Sequence, residues 1–185
     1  MNASKLVTVL TAAFKNKRNV LVKGQPGVGK TDIVKQVVKE LGYDLLVGHP
    51  VVSDPTDYKG LPALDKDGGA NFIPFGDLNK LMKPKKPLVC FQDDIGQSAM
   101  AVQGALMQLW WSRSINGHEI SDHVIFCGAT NDTKDMAGVT GLIEPFKSRN
   151  TIVSLEPSLD DWCEWALKNE MPANLIAFLR FRPKL

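Results

Sequence analysis

Apolar and polar residues follow two rhythms along the chain. "MNASKLVTVLTAAFKNKR" repeats its apolar positions at helical spacing and predicts an amphipathic helix over residues 1–18. "NVLVKG" is a short β-branched run broken by glycine, and "TDIVKQVVKELG" returns to helical spacing with Gly42 as its stop. "DLLVGHP" reads as a second strand. The next stretch, "VVSDPTDYKGLPALDKDGGANFIPFGDL", loses both rhythms and is rich in Pro, Gly and Asp, so a long polar loop is expected, with a hairpin turn at "DKDGGANF". Order then resumes: strand "KPLVCFQD", helix "SAMAVQGALMQLWWSR", a small hairpin "SINGHEI" around Asn116 and Gly117, and strand "DHVIFCGAT". "GLIEPFKSR" reads as a short helix or turn and "NTIVSL" as a fifth strand. "SLDDWCEWALKNE" starts a helical segment with Ser158 as N-cap.

Strands alternating with helices imply an α/β fold, a five-stranded parallel sheet covered on both faces in three layers. Composition changes this picture little. The 185 residues, 44% apolar and 23% charged, suit one globular domain with part of a second. With 22 basic against 20 acidic residues the net charge is +2, which neither demands nor excludes a nucleic-acid partner. The densest basic stretch, "KLMKPKKP" with Lys80, Lys83, Lys85 and Lys86, reads as a solvated loop before the third strand. Cys90, Cys127 and Cys163 are widely spaced and suit reduced buried thiols, and the three histidines show no metal-ligand spacing. The first residues lack a long apolar core or a cleavage pattern, so neither a signal peptide nor a membrane span is expected and the location reads as cytoplasmic. Of Trp110 and Trp111, one is expected in the core and one half exposed.

Chemistry enters at "GQPGVGKT", Gly24 to Thr31, which matches G-x-x-x-x-G-K-[ST] between a strand and a helix. Gly24, Gly27 and Gly29, interleaved with Gln25, Pro26 and Val28, let the backbone turn sharply so that successive N–H groups face phosphate oxygens. Lys30 then bridges the terminal phosphates of a bound nucleotide, the Thr31 hydroxyl binds Mg²⁺, and the positive end of the following helix favours the same anion. "PLVCFQDDIG" ends an apolar strand in Asp93 and Asp94, carboxylates that would be costly if buried without compensation. A nucleotide with Mg²⁺ resolves that cost, with Asp93 holding the metal opposite Thr31. Asp94 either polarises the attacking water or caps the turn ahead of "GQSAM". Asn131, after "VIFCGAT", either orients that water from the carboxyl edge of the sheet or opens the turn "NDT".

Together these residues resemble the AAA+ ATPases, and within them the MoxR-like, AAA-5 (dynein-related) type of bacteria and phages. "GQPGVGKT" looks like Walker A, "LVCFQDDI" like Walker B, "GATN" like sensor 1, and "EPFKSRN" like the segment carrying an arginine finger. "DPTDYKGLP" and "NFIPFGDL" resemble the segment these ATPases turn toward a pore or substrate face. The resemblance spans about Val20 to Pro157. It implies an ATP-hydrolysing remodelling motor that binds ATP and Mg²⁺ through Lys30, Thr31 and Asp93, activates water with Asp94, senses the γ-phosphate with Asn131 and donates Arg149 to a neighbouring subunit. It further implies a hexameric ring acting on a protein partner, such as one with a von Willebrand factor A domain. Residues 1–157 would form the nucleotide-binding core and residues 158–185 the start of a helical lid, incomplete relative to the family. The family usually has glutamate where this chain has Asp94, which opens a second reading, a nucleotide-gated assembly module with slow hydrolysis. A third, a DNA-directed helicase or loader, is supported only by the lysine-rich stretch.

Overall fold

The computed structural model describes residues 1–64, 67–131 and 141–182. Helix α1 (Ala3–Lys15) leads into β1 (Val20–Gly24), α2 (Lys30–Leu41) and β2 (Asp44–Gly48). A short helix α3 (Pro55–Lys59), the antiparallel hairpin β3 (Leu61–Leu64) with β4 (Ala70–Ile73), and α4 (Gly76–Met82) follow. The chain continues through β5 (Leu88–Gln92), α5 (Met100–Ser112), a hairpin of β6 (Ser114–Ile115) and β7 (His118–Glu119), and β8 (Val124–Thr130). It closes with α6 (Glu144–Arg149), β9 (Thr151–Leu155), α7 (Leu159–Lys168) and α8 (Ala173–Phe181).

The five long-range strands form one parallel sheet in the order β2-β5-β8-β1-β9. The central strands β5, β8 and β1 are buried on both sides, so their residues alternate between two cores rather than between core and water, while the edge strands β2 and β9 are partly exposed. Val20 and Val22, Val89 and Phe91, and Ile125, Cys127 and Ala129 face α1 and α2, where Leu6, Leu10, Phe14, Val34, Val37 and Val38 are buried. Leu21, Cys90, Val124 and Phe126 face the other way, onto α5. There Trp110 stacks on Phe126 at 5.4 Å and meets Phe146 of α6 edge-on at 5.0 Å. Trp110 is buried and Trp111 about half exposed, as the sequence suggested. Burying each such aromatic contributes on the order of 2–3 kcal/mol, so this stack anchors α5 and α6 to the sheet.

Helix α1 starts at Asn2, whose side chain accepts from the Lys5 N–H. Asp161 of α7 accepts from the Ser4 N–H at 2.8 Å and from the Asn2 amide at 3.0 Å, tying the first helix to the seventh. Ser158 caps α7 by accepting from the Asp161 N–H. Beyond it, Cys163, Ala166 and Ile176 make a small separate core between α7 and α8.

Two expectations need correction. The stretch read as a long polar loop holds α3 and α4 as well as the hairpin; residues 65 and 66 of its turn lie outside the described residues. Asp54 caps α3 with a reciprocal capping box to Asp57 and Pro55 starts the helix, so the local signals were helix-starting ones. The stretch "KLMKPKKP" is not a solvated loop throughout, because Lys80 to Met82 complete α4 and Leu81 is buried in the core. Only its later lysines, Lys83, Lys85 and Lys86, are exposed connection.

Candidate functional site

The sheet order explains why the candidate residues meet. Because β8 lies between β1 and β5, the residue after β8 emerges between the loop after β1 and the acidic pair after β5. The register pairs Lys23 with Thr130 and Gln92 with Gly128, which sets Asn131 level with Gly24 at the carboxyl edge. Ligands of open α/β folds bind at that edge.

The loop Gly24 to Gly29 turns through two glycines at positive φ, Gly27 at 77° and Gly29 at 89°. A side chain at either would be strained, although nothing lies within 4 Å of the place a Cβ would take; the cradle is open there. At Gly24 the constraint is contact instead, since a Cβ would sit 2.9 Å from the Leu155 carbonyl oxygen. Gly29 is the N-cap of α2 and brings no side chain to cap it, so the first-turn N–H groups of a 12-residue helix are left for an anion. Gln25 and Pro26 are exposed on the loop's outer side and Val28 is half-buried.

Lys30 is buried, and its ammonium donates to the Gly24 carbonyl at 2.9 Å, the Gln25 carbonyl at 2.9 Å and Asn131 Oδ1 at 2.8 Å. The Thr31 hydroxyl donates to Asp93 Oδ2 at 2.7 Å, and Asn131 Nδ2 donates to Asp94 Oδ1 at 3.2 Å. Burial lowers the Lys30 pKa, opposed by the carboxylates of Asp94 and Asp93. Burial, then the adjacent Asp93 charge, push the Asp94 carboxyl up against the opposing pull of Lys30, Asn131 and His49. Asp94 lies at φ 53°, in the left-handed region, so its side chain leaves the strand at a different angle from that of Asp93. It is the N-cap residue of the 3₁₀ turn Ile95–Gln97 but makes no side-chain capping bond, which separates it from the capping alternative. The other alternative, a turn at "NDT", involves residues 132 and 133, outside the described ones.

Lys30, Thr31, Asp93, Asp94 and Asn131 thus form one hydrogen-bonded cluster. Arg149 is not among them: it is exposed at the end of α6, its guanidinium 5.7 Å from the Trp111 ring centroid. Two buried polar residues went unnoticed in the sequence. Gln92, directly before Asp93, accepts from the Tyr58 hydroxyl at 3.3 Å and donates to the Cys90 sulfur at 3.2 Å. Gln103 of α5 is fully buried with its amide bonded to backbone alone. Tyr58 for Gln92, and Gly141 and Ile143 for Gln103, lie 34 to 40 residues away in the chain, so no spacing signals these contacts.

The donor set fits a triphosphate with Mg²⁺. The first-turn N–H groups of α2 and the Lys30 ammonium lie together at the glycine loop, and a hydroxyl paired with a carboxylate is the kind of protein oxygen pair that Mg²⁺ takes beside phosphate oxygens and water.

No family model matches this sequence, and no curated protein matches it. Solved structures do. The fold is similar to that of a "putative ATPase" from Cytophaga hutchinsonii, with TM-score 0.65, 16% identity, and 90% of this chain and 50% of that one covered. It is also similar to RuvB of Thermotoga maritima, described as a Holliday junction branch migration motor, with TM-score 0.58, 22% identity, and 88% and 47% covered. A mutant of the same RuvB gives TM-score 0.60 at 23% identity, with 87% and 47% covered. The chain therefore spans about half the length of these neighbours. Among the described residues no helix is long and apolar enough to cross a membrane. Five parallel strands in this order, flanked by helices on both faces, give the chain an α/β fold similar to that of these solved structures.

Proposed function

We propose that the protein binds Mg·ATP at the Lys30 cluster and hydrolyses it, as a MoxR-like AAA+ remodelling ATPase assembled in a ring, hexameric by resemblance. The observation that carries this is the convergence of Lys30, Thr31, Asp93, Asp94 and Asn131 from three separate strand ends through bonds of 2.7–3.2 Å. Lys30 and the first-turn N–H groups of α2 hold the β- and γ-phosphates. Thr31 and Asp93 hold Mg²⁺, which when bound neutralises charge on the phosphate oxygens. Asn131 orients a water and Asp94 accepts its proton as the water oxygen bonds to the γ-phosphorus and the bond to the β–γ bridging oxygen breaks. Arg149, exposed and outside this cluster, is in keeping with donation to a neighbouring subunit's site. Residues 158–185 begin a helical lid, and the substrate is a protein partner, with a von Willebrand factor A domain one candidate.

Calorimetry with Mg·ATP and phosphate-release assays test this. The parent is expected to bind and turn over ATP, and Lys30→Ala to bind about 10- to 100-fold more weakly, the range for a lost charged hydrogen-bond donor. A Lys30→Ala protein that binds and hydrolyses ATP like the parent would overturn the reading. A second reading, a nucleotide-gated assembly module, is favoured by Asp94 itself, whose shorter side chain is already engaged by Asn131. A large gain in single-turnover rate for Asp94→Glu supports that module; an unchanged rate supports the motor. Tight, steeply salt-dependent DNA binding would instead favour a DNA-directed role.

A further inference from the structure

Between the Asp94 loop and the helix carrying Arg149 lies the buried side chain of Gln103, in α5 and 0% exposed. Its Nε2 donates one hydrogen to the Ser98 carbonyl at 3.1 Å and the other to the Gly141 carbonyl at 3.0 Å. Its Oε1 accepts from the Ile143 N–H at 3.0 Å. A carboxamide has two donors on one atom and an acceptor on the other, so this side chain is well matched to two carbonyls and one N–H.

The two segments it joins are the two that matter. Ser98 is tied back to Asp94 by a tight turn: the Gln97 N–H donates to the Asp94 carbonyl at 2.9 Å, and the Ser98 hydroxyl to the Ile95 carbonyl at 2.7 Å. Ile143 is the N-cap of α6 and makes no side-chain cap of its own, so Gln103 holds the backbone where that helix begins. Arg149 is the last residue of the same helix. The Asp94–Ser98 turn and the Gln103 hydrogen bonds thus link Asp94 to Ile143, where the helix ending in Arg149 begins. Helix α6 has an independent anchor, Phe146 against Trp110, so the amide is not needed merely to hold it on the protein.

We propose that Gln103 is a positioning residue that couples the two ends of this link: the state of the Asp94 loop in one subunit sets the placement of Arg149 toward the next. This rests on the reading of Arg149 as a residue donated in trans. The two Nε2 hydrogens leave one nitrogen in a fixed plane, so displacement of the Ser98 carbonyl shifts or breaks the bonds to Gly141 and Ile143 as well. Coupling between sites needs such an element that both sites bias.

The test uses the full chain with Gln103→Met, which keeps volume and removes the hydrogen bonds, and Gln103→Leu as a second variant. Expected are a Mg·ATP dissociation constant within about threefold of the parent and turnover at least about tenfold slower, as for small misplacements of a group acting on the transition state. The loss should be non-additive with Arg149→Ala, the double variant being no slower than the slower single one. Hydrogen exchange over residues 143–149 should respond to a non-hydrolysable ATP analogue in the parent and not in Gln103→Met. Additive losses, or the same exchange response in both proteins, would overturn the coupling while leaving the ATPase reading intact. An Arg149→Ala protein as fast as the parent would remove the donated arginine and this inference with it.

Discussion

Asp94 carries the tension of the candidate site in one side chain: partly buried, at positive φ, beside another carboxylate, and held by the Asn131 amide. Its folded-state pKa lies above the unfolded value, so ionised Asp94 opposes folding at pH above the shifted pKa, and that opposition lifts as pH falls through it. Asparagine is isosteric, tolerates the same backbone region and carries no charge. Asp94→Asn is therefore expected to raise the melting temperature at pH 8, with the gain shrinking toward pH ~4, while abolishing most phosphate release. Scanning calorimetry across that range checks it; a gain independent of pH would assign it to something other than charge. Lys30 shows the complementary case, a buried cation whose three partners are the oxygens of its own loop and of Asn131. These residue types at these spacings were legible in the sequence because each stands next to a strand end. Gln92 and Gln103 were not, since a buried amide is recognisable only by its partners, and theirs are a distant tyrosine and backbone carbonyls.

Among elements, the five sheet strands were legible because β-branched runs bounded by Gly, Asp or Asn have few other solutions. Helices α3 and α4 were hidden by Pro and Gly, although Asp54, Pro55 and Asp57 spell a helix start whose body is too short for periodicity to register. The elements also differ in how much core secures them. Cys90 and Cys127 sit in central strands, and burial pushes the Cys90 thiol up to about 12 and the Cys127 thiol further up, which keeps both from the reactive thiolate form near neutrality. Cys163 is buried within the small core joining α7 and α8, where few apolar residues secure it. With a thiol reagent at pH 8 in rising urea, labelling is expected at Cys163 first, and at Cys90 and Cys127 together only with global unfolding. Mass spectrometry of the labelled peptides reads the order, and simultaneous labelling of all three would refute it.

For the whole molecule, the separation of Arg149 from the Lys30 cluster puts the test of the proposed ring between its subunits. Specific phosphate release is expected to climb with protein concentration, and inactive Arg149→Ala and Lys30→Ala proteins to recover activity when mixed, because each supplies what the other lacks. Activity proportional to concentration with no recovery would mean that every site is self-sufficient. The sheet order has a different consequence, for the nascent chain. Strand β1 pairs with β8 and β9, both made long after it. At roughly 5–20 residues per second, the glycine loop leaves the ribosome several seconds before the strands that will seat it, a delay on the order of ten seconds. The glycine loop is thus made well before the strands that seat it, and its backbone waits unpaired until β8 and β9 follow.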